Sequence, residues 1–312
     1  MNTATFPSEL KGGRLLLAAF FLALANFMVV LDMTIANVSV PHITGSLAVS
    51  SSQGTWVITS YAVAEAICIP LTGWLAGRFG GVRVFTLSLI GFTIFSVLCG
   101  LSTSLEMLVF CRIGQGLFGG PIMPLSQMLL MRIFPPEKQS QAMGMWAMTT
   151  VVGPILGPIL GGTISDNMSW HWIFFINVPI GLVLIGLVSY YLVEEKQEKD
   201  NKKMDIQGSL FLMTMLLTLL LAFQFLSESG FDLKVIGMLG ATILSIFLFI
   251  RAEKNAEDPV ISLELFSSRI FIVVNLVAAL ISGFLMAVEV YIPMWMQGVL
   301  GYKAGLGGLV LA

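Results

Sequence analysis

Long apolar runs recur along the whole chain, and this feature constrains its fold more than any other. A helix needs about 20 mostly apolar residues to cross a bilayer. Nine runs of roughly that length are separated by short polar segments, and they cover residues 15–38, 55–76, 83–102, 107–130, 140–163, 171–193, 207–227, 233–250 and 270–293. A tenth run begins near Gly305. The sequence therefore predicts an all-α integral membrane protein that crosses the bilayer many times.

Composition and charge exclude several classes of protein. Hydrophobic residues make up 56% of the chain and charged residues 11%, whereas a soluble domain carries about 25% charged residues. The formal net charge of -2 argues against a nucleic-acid-binding protein. The three cysteines (Cys68, Cys99 and Cys111) all lie in apolar runs. We interpret them as buried side chains and expect neither a metal site nor a cofactor.

The distribution of basic residues predicts the orientation of the chain. Cytoplasmic loops of membrane proteins carry an excess of Lys and Arg. With the N-terminus inside, 13 of the 16 Lys and Arg residues fall in cytoplasmic loops, and the outer loops hold only Lys234 and Lys303. The remaining basic residue, Arg112, lies inside a span. We therefore predict a cytoplasmic N-terminus and interpret the charged run 194–206 as a solvated cytoplasmic linker.

Three ionisable residues lie inside spans: Asp32, Glu65 and Arg112. A charge at the bilayer centre costs from roughly 3 to over 10 kcal/mol, so such residues usually have a function. At a rise of about 1.5 Å per residue, Asp32 lies about 13 Å and Arg112 about 9 Å from the outer side of the membrane. At this shared level we predict an ion pair that loosens when Asp32 takes up a proton. The alternative is a static pair that only holds two helices together.

Glu65 lies about 13 Å deep in the second span. An ionised carboxylate there is expensive, so we predict a residue that exchanges a proton or acts as counter-charge to a cationic substrate. The alternative is a protonated side chain that bonds a neighbouring helix. We interpret Glu289, near the outer end of the ninth span, as an interfacial acid.

Five segments carry a family resemblance. They are Leu31–Pro41 in the first span, Gly73–Arg83 in the loop after the second, Arg112–Gly116 in the fourth, Gly153–Gly162 in the fifth and Trp170–Pro179 at the start of the sixth. Their content and order resemble those of the fourteen-span drug:proton antiporters of the EmrB/QacA type, within the major facilitator superfamily. No hydrolase or metalloprotease motif occurs in the sequence, so we do not expect an enzyme.

The resemblance implies the domain organisation. It predicts a major facilitator fold with an N-terminal six-helix bundle over 1–193 and two inserted spans over 207–251. A cytoplasmic loop over 252–269 leads to the start of a C-terminal bundle over 270–312. Because the chain stops inside an apolar run, we expect that second bundle to be truncated.

The resemblance also implies which residues accompany conformational change. In the loop motif these are Gly73, Arg78, Gly80 and Arg83, although Gly77 stands where the general pattern has an acid. In the fifth span they are Gly153, Pro154, Gly157, Pro158, Gly161 and Gly162. Glycines four residues apart leave one helix face without side chains, and the prolines make the helix kinked or pliable. We interpret this stripe as a seal between bundles, with simple tight packing as the alternative.

The resulting functional prediction is a proton-coupled exporter of lipophilic toxic compounds that works by alternating access in the bacterial inner membrane. Candidate substrate-binding residues besides Glu65 are Asn26, Phe27, Tyr61 and Gln127. The resemblance implies a periplasmic adaptor and an outer-membrane channel as partners, besides protons, lipophilic substrates and the bilayer. The alternatives are a non-transporting membrane fragment and a facilitator or uptake carrier with the same fold.

Overall fold

A computed structural model of the protein describes residues 12–192, 205–256 and 259–302, and every regular element in these ranges is helical. The helices are α1 (Gly13–Leu47), α2 (Ser51–Gly54), α3 (Trp56–Cys68), α4 (Thr72–Phe79), α5 (Gly81–Gly100), α6 (Leu105–Gly119), α7 (Ile122–Ile133), α8 (Gln139–Asn167), α9 (Trp172–Phe175), α10 (Asn177–Tyr191), α11 (Ile206–Ser229), α12 (Leu233–Asn255) and α13 (Arg269–Gly298). Most of the predicted linker and the tenth apolar run lie outside the described residues, as does the side chain of Glu289.

Most predicted spans correspond to observed helices. Among the described residues, seven helical segments are long and apolar enough to cross a membrane, or eight if the bent second span is included. The ninth predicted span falls within α13. The chain is therefore an all-α, multi-pass membrane protein.

The second span is bent, which the prediction of one continuous helix over 55–76 did not include. The segments on either side of residues 69–71 differ in direction by 54°. The cause is Pro70, which has no N–H to donate within the helix. The hydroxyl of Thr72 donates to the carbonyl of Cys68 at 3.1 Å, so one of the carbonyls at the break keeps a partner.

Two other spans also differ from the prediction. The first span, predicted to end at residue 38, continues through Pro41 to Leu47 in α1. The fourth span is interrupted where Gly120 and Pro121 separate α6 from α7.

The first six spans pack as one bundle with α1 at its centre. Helix α1 contacts α7, α8 and α10, while α6 packs between α3 and α5. Helices α11 and α12 pack against each other, and α11 also lies on α3. Helix α13 touches α1, and most of its described side chains are exposed.

Two separate apolar clusters fill this bundle. One contains Phe21, Met28, Phe85 and other side chains from the first part of α1 and its neighbours. The second contains residues nearer the Pro41 end of α1, including Ile35. Met28 and Val29 belong to the first cluster and Leu31 to the second, so Asp32 lies on α1 where one apolar cluster gives way to the other.

Candidate functional site

The residues around Asp32 form a buried polar layer across the bundle. Besides Asp32, the layer contains Tyr61 on α3, Ser96 on α5, Arg112 and Gln115 on α6 and Asn177 at the start of α10, each at most 2% exposed. Polar groups away from water require partners because an unsatisfied one costs about 1–3 kcal/mol. The pairing within this layer therefore fixes how five spans meet.

The centre of the layer is a buried ion pair. The Arg112 Nη1 donates to the Asp32 Oδ2 at 2.5 Å. The same Nη1 also donates to the Gln115 Oε1 at 2.8 Å, and Nε donates to the Val57 carbonyl at 3.1 Å. The structure thus brings together the two charged residues that the sequence placed at one depth. Removing one partner of such a pair strands the other charge, at a cost of about 3–5 kcal/mol.

The two Asp32 oxygens have different partners. Oδ1 accepts from the Gln115 Nε2 at 2.9 Å and from the Asn177 Nδ2 at 2.6 Å. Oδ2 accepts from Arg112 alone among the described residues. Because Oδ1 already has two donors, Oδ2 is the oxygen with room for a proton. A proton there competes directly with the Arg112 contact and leaves the two amide contacts in place.

Aromatic rings cover the Arg112 guanidinium. Its carbon lies 4.1 Å from the centroid of the Tyr61 ring and 5.7 Å from that of Phe174. A cation over an aromatic face gains about 0.5–2 kcal/mol, with the larger values in desolvated sites. The Tyr61 hydroxyl is buried without a hydrogen-bond partner among the described residues. The ring face, rather than the hydroxyl, therefore supports the arginine charge.

Glu65 lies one helical turn beyond Tyr61 on α3 and is 8% exposed. Neither an ion pair nor a hydrogen bond of its carboxyl is found in the described part of the chain, although Arg112 and Asp32 are near enough to influence it electrostatically. The alternative of a side chain that bonds a neighbouring helix is therefore not what the structure shows. Its roles in proton exchange and substrate binding stay predictions.

Two glycines let α6 approach the backbone of α3. A Cβ at Gly116 would lie 2.5 Å from the Tyr61 carbonyl oxygen, and one at Gly120, just after α6, would lie 2.8 Å from that of Glu65. Small residues four apart are typical of close helix contacts in membranes. Gly116 follows Arg112 and Gln115 in the fourth-span motif, so that motif supplies both the polar partners of Asp32 and the close approach to α3.

The glycine stripe of α8 packs against α1. A Cβ at Gly153 would lie 2.6 Å from the Val30 Cγ1, one at Gly157 would overlap the Thr34 hydroxyl, and one at Gly161 would lie 3.0 Å from the Ile35 carbonyl oxygen. Gly162 is also buried, and Pro154 and Pro158 lie inside the helix. Tight packing within one bundle is therefore what the structure shows for this stripe, and sealing between bundles stays a prediction.

The remaining substrate candidates do not converge on one place. Asn26 is buried between α1 and α8 and donates to the Thr149 hydroxyl at 2.8 Å. Phe27 is partly buried and packs on the second apolar cluster. Gln127 is exposed on α7, with the Met143 sulfur at 4.0 Å. Among these guesses only Tyr61 lies in the polar layer, because sequence alone does not fix which helix face points to which neighbour.

The loop motif surrounds the junction of α4 and α5. Gly80 links the two helices with φ +95°, a conformation that side chains rarely allow. Arg78 lies in the last turn of α4, and Arg83 in the first turn of α5. A Cβ added at Gly73 would meet no atom within 4 Å. A role for these residues in conformational change stays a prediction.

Sequence reasoning missed three members of the layer as site residues: Ser96, Gln115 and Asn177. The Gln115 Nε2 donates to the Ser96 hydroxyl at 2.8 Å as well as to Asp32. Gln115 and Asn177 stood within recognised motifs, and all three are polar residues in apolar runs. That last property was the available signal, since a polar side chain in a span needs a partner.

Comparison with known proteins shows to which family the chain is similar. Residues 22–312 match the model of the Major Facilitator Superfamily. The chain is 43% identical over 309 residues to the multidrug export protein EmrB of Escherichia coli K12, covering 97% of this chain and 60% of that protein. It is 44% identical over 310 residues to EmrB of Haemophilus influenzae, with 99% and 61% covered. The chain thus spans about three fifths of these relatives' length, and the resemblance to EmrB-type exporters is confirmed.

Solved structures show the same fold. The peptide transporter POT in complex with sulfate matches with a TM-score of 0.63 at 14% identity, covering 93% of this chain and 64% of that one. A bacterial homologue of the human lysosomal transporter Spinster, inward-facing and unoccupied, matches with a TM-score of 0.53 at 18% identity, covering 96% and 72%. With the family model matching nearly the whole chain and the helical bundle matching these transporters, the protein belongs to the major facilitator superfamily, a family of transporters rather than enzymes.

Proposed function

We propose that the protein takes part in the proton-driven export of lipophilic toxic compounds. The observation that carries this proposal is the buried Asp32–Arg112 pair, in which one carboxylate oxygen, Oδ2, is contacted by the arginine alone among the described residues. The proteins at 43–44% identity are named multidrug export proteins, which supports the substrate class. A facilitator or uptake carrier is the second candidate, since alternating access can run in either direction.

The coupling step follows from the contacts of Asp32. A proton on Oδ2 removes the negative charge that Arg112 faces and frees the arginine to change partners. Gln115 and Asn177 still hold Oδ1, so α1 keeps its place beside α6 and α10 while the arginine moves. Tyr61 supports the released guanidinium through its ring face. Proton uptake at one oxygen thereby becomes a change in how α3 and α6 meet α1.

The same proposal includes the membrane in which the protein lies, the orientation of the chain in it and the division of the chain into helix bundles. The excess of Lys and Arg in one set of loops supports a cytoplasmic N-terminus. It also places Thr55, at the start of α3, near the outer surface. We propose the bacterial inner membrane, with residues 1–193 as the first transport bundle, 207–251 as two inserted spans and 270–312 as part of a second bundle, following the cytoplasmic loop at 252–269.

A test of the function measures export of ethidium from cells of a Gram-negative host that lacks its own drug exporters. Expression of the protein should lower cell-associated ethidium, and an ionophore that collapses the pH gradient should abolish the difference. We also propose that a periplasmic adaptor and an outer-membrane channel complete the path, because the outer loops between the described spans, such as 101–104 and 230–232, are too short to form one. Resistance should then require the adaptor. Export that survives collapse of the gradient contradicts proton coupling, and full resistance without the adaptor contradicts the three-part assembly.

A separate prediction concerns Glu65→Gln. An acid that lacks a partner among the described residues and lies near mid-depth favours cations by Coulomb attraction in low dielectric. We expect this variant to weaken resistance to cationic compounds about ten-fold more than to neutral ones, which corresponds to about 1.4 kcal/mol. The measurement is the minimum inhibitory concentration for matched cationic and neutral dyes. Equal losses for both classes point instead to a structural role for Glu65.

A further inference from the structure

The two inserted helices make a polar contact with the helix that carries Tyr61 and Glu65. Gln224, on α11, is 8% exposed in the interface with α3. Its Nε2 donates to the Thr55 hydroxyl oxygen at 2.9 Å, and its Oε1 accepts from the Thr59 hydroxyl at 3.1 Å. One amide thus both donates to and accepts from a single turn of the second span.

The hydrogen-bond directions in this contact are mutually consistent. The Thr55 hydroxyl donates its proton to the Ser52 carbonyl at 2.6 Å, which leaves its lone pairs for Gln224. Threonines elsewhere in the chain, such as Thr72 and Thr93, donate to the carbonyl four residues earlier in their own helix. Thr59 donates across to Gln224 instead. Thr59 therefore directs its only hydroxyl proton to the interhelical contact, while Thr55 accepts in it.

Helix α3 is held on opposite faces. Thr59 and Tyr61 are two residues apart, which is about 200° around a helix. On the Tyr61 and Glu65 side, α6 approaches the α3 backbone through Gly116 and Gly120. On the Thr55 and Thr59 side lies Gln224. The position of the Tyr61 ring over Arg112 thus depends on contacts from both sides.

We propose that Gln224 is a positioning residue that docks the inserted helix pair on α3 and so keeps Tyr61 and Glu65 in place beside Arg112. This inference rests on the proposed transport function. It gives the two extra spans a specific part in that function, since polar side chains in lipid hold helices in a defined register. Helix α11 then limits how far the outer half of the bent second span can move.

The test compares Gln224→Leu with a matched control. Leu has a similar size but makes no hydrogen bond. The control is Thr218→Val. The Thr218 hydroxyl lies 2.9 Å from the Thr242 hydroxyl and links α11 to α12. This change therefore also removes an interhelical hydrogen bond of α11, but one that does not involve α3. Ethidium binding to the purified protein and the ratio of resistance to cationic and neutral dyes are measured for each variant. Binding reports on the site even where export is absent.

We expect Gln224→Leu, which removes both hydrogen bonds to the second span, to weaken ethidium binding and to lower the cationic-to-neutral resistance ratio. Each should change by about three- to ten-fold, the range typical of interhelical hydrogen bonds in membranes. Thr59→Val, which removes one of the two bonds, should cause a loss in the same direction that is no larger. Thr59→Ser should behave as wild type, and the double variant Gln224→Leu/Thr59→Val should be no worse than Gln224→Leu alone. Thr218→Val should leave both readouts unchanged.

The outcomes separate this inference from the proposed function. If the wild-type protein neither binds nor exports ethidium, the proposed function fails. If wild type is active and Gln224→Leu matches Thr218→Val in both readouts, the positioning inference fails while the function stands. Additive effects of Gln224→Leu and Thr59→Val also contradict it, because residues that act through one contact are not additive.

Discussion

Asp32→Asn is expected to abolish proton-driven export while leaving substrate binding largely intact. The amide cannot take up and release the proton that we place on Oδ2, so the Arg112 contact no longer responds to the pH gradient. The measurement is ethidium efflux from vesicles under an imposed pH gradient, with ethidium binding measured on the same purified protein. Efflux should fall to the level of empty vesicles.

The matched control for this change is Glu106→Gln, which also neutralises one acid but on an exposed side chain in the first turn of α6. It should export as wild type does. Because Asp32→Asn strands the buried Arg112 charge, its melting temperature is measured as well, and the double variant Asp32→Asn/Arg112→Gln should fold better than Asp32→Asn yet remain inactive. Gradient-driven efflux at the wild-type rate by either Asp32 variant would contradict the coupling role.

The second large effect is expected on stability, from Gly116→Ala. A Cβ there lies 2.5 Å from the Tyr61 carbonyl oxygen, which is backbone and cannot rotate away. Helices α3 and α6 must then separate, and overpacking of this kind typically costs about 1–3 kcal/mol. The melting temperature of the purified protein should fall clearly, and the cation–π contact between Tyr61 and Arg112 should weaken with it.

Gly144→Ala provides the comparison for Gly116→Ala. Gly144 lies on α8, and a Cβ there meets no atom within 4 Å. Ala is also the better helix former, by about 1 kcal/mol in water. We expect an unchanged or slightly raised melting temperature. Equal melting temperatures for the two alanine variants would show that the α3–α6 interface is looser than the Gly116 distances indicate.

Much of this protein could be predicted from its sequence because the bilayer imposes simple rules. Apolar runs of about 20 residues must be helices in lipid, so α5, α8, α11 and α12 were predicted close to their observed positions. Charges in such runs are costly, which identified Asp32, Glu65 and Arg112. Counting residues along two helices was enough to place Asp32 and Arg112 at one depth, and the structure pairs them.

Breaks in the helices were less predictable. Pro41 and Pro70 are the same residue type, yet α1 continues through Pro41 whereas the second span bends at Pro70. A proline removes one N–H, crowds the carbonyl four residues earlier and restricts the residue before it. Whether the helix goes on depends on how the carbonyls around the proline are satisfied and on what packs beside them.

Tertiary structure alone decided which side chains meet around Asp32. The sequence marks Ser96, Gln115 and Asn177 as polar residues in spans, but they lie on three helices whose rotation about their axes is set by packing. Asn26 and Gln127 are also polar residues in spans, but packing turns them away from Asp32. The partners of Gln224 were likewise not predictable, since they lie 165 and 169 residues away in the chain. The depth of a residue in the membrane follows from counting residues along one helix. Which face of a helix points toward its neighbour depends on how the side chains of both helices pack.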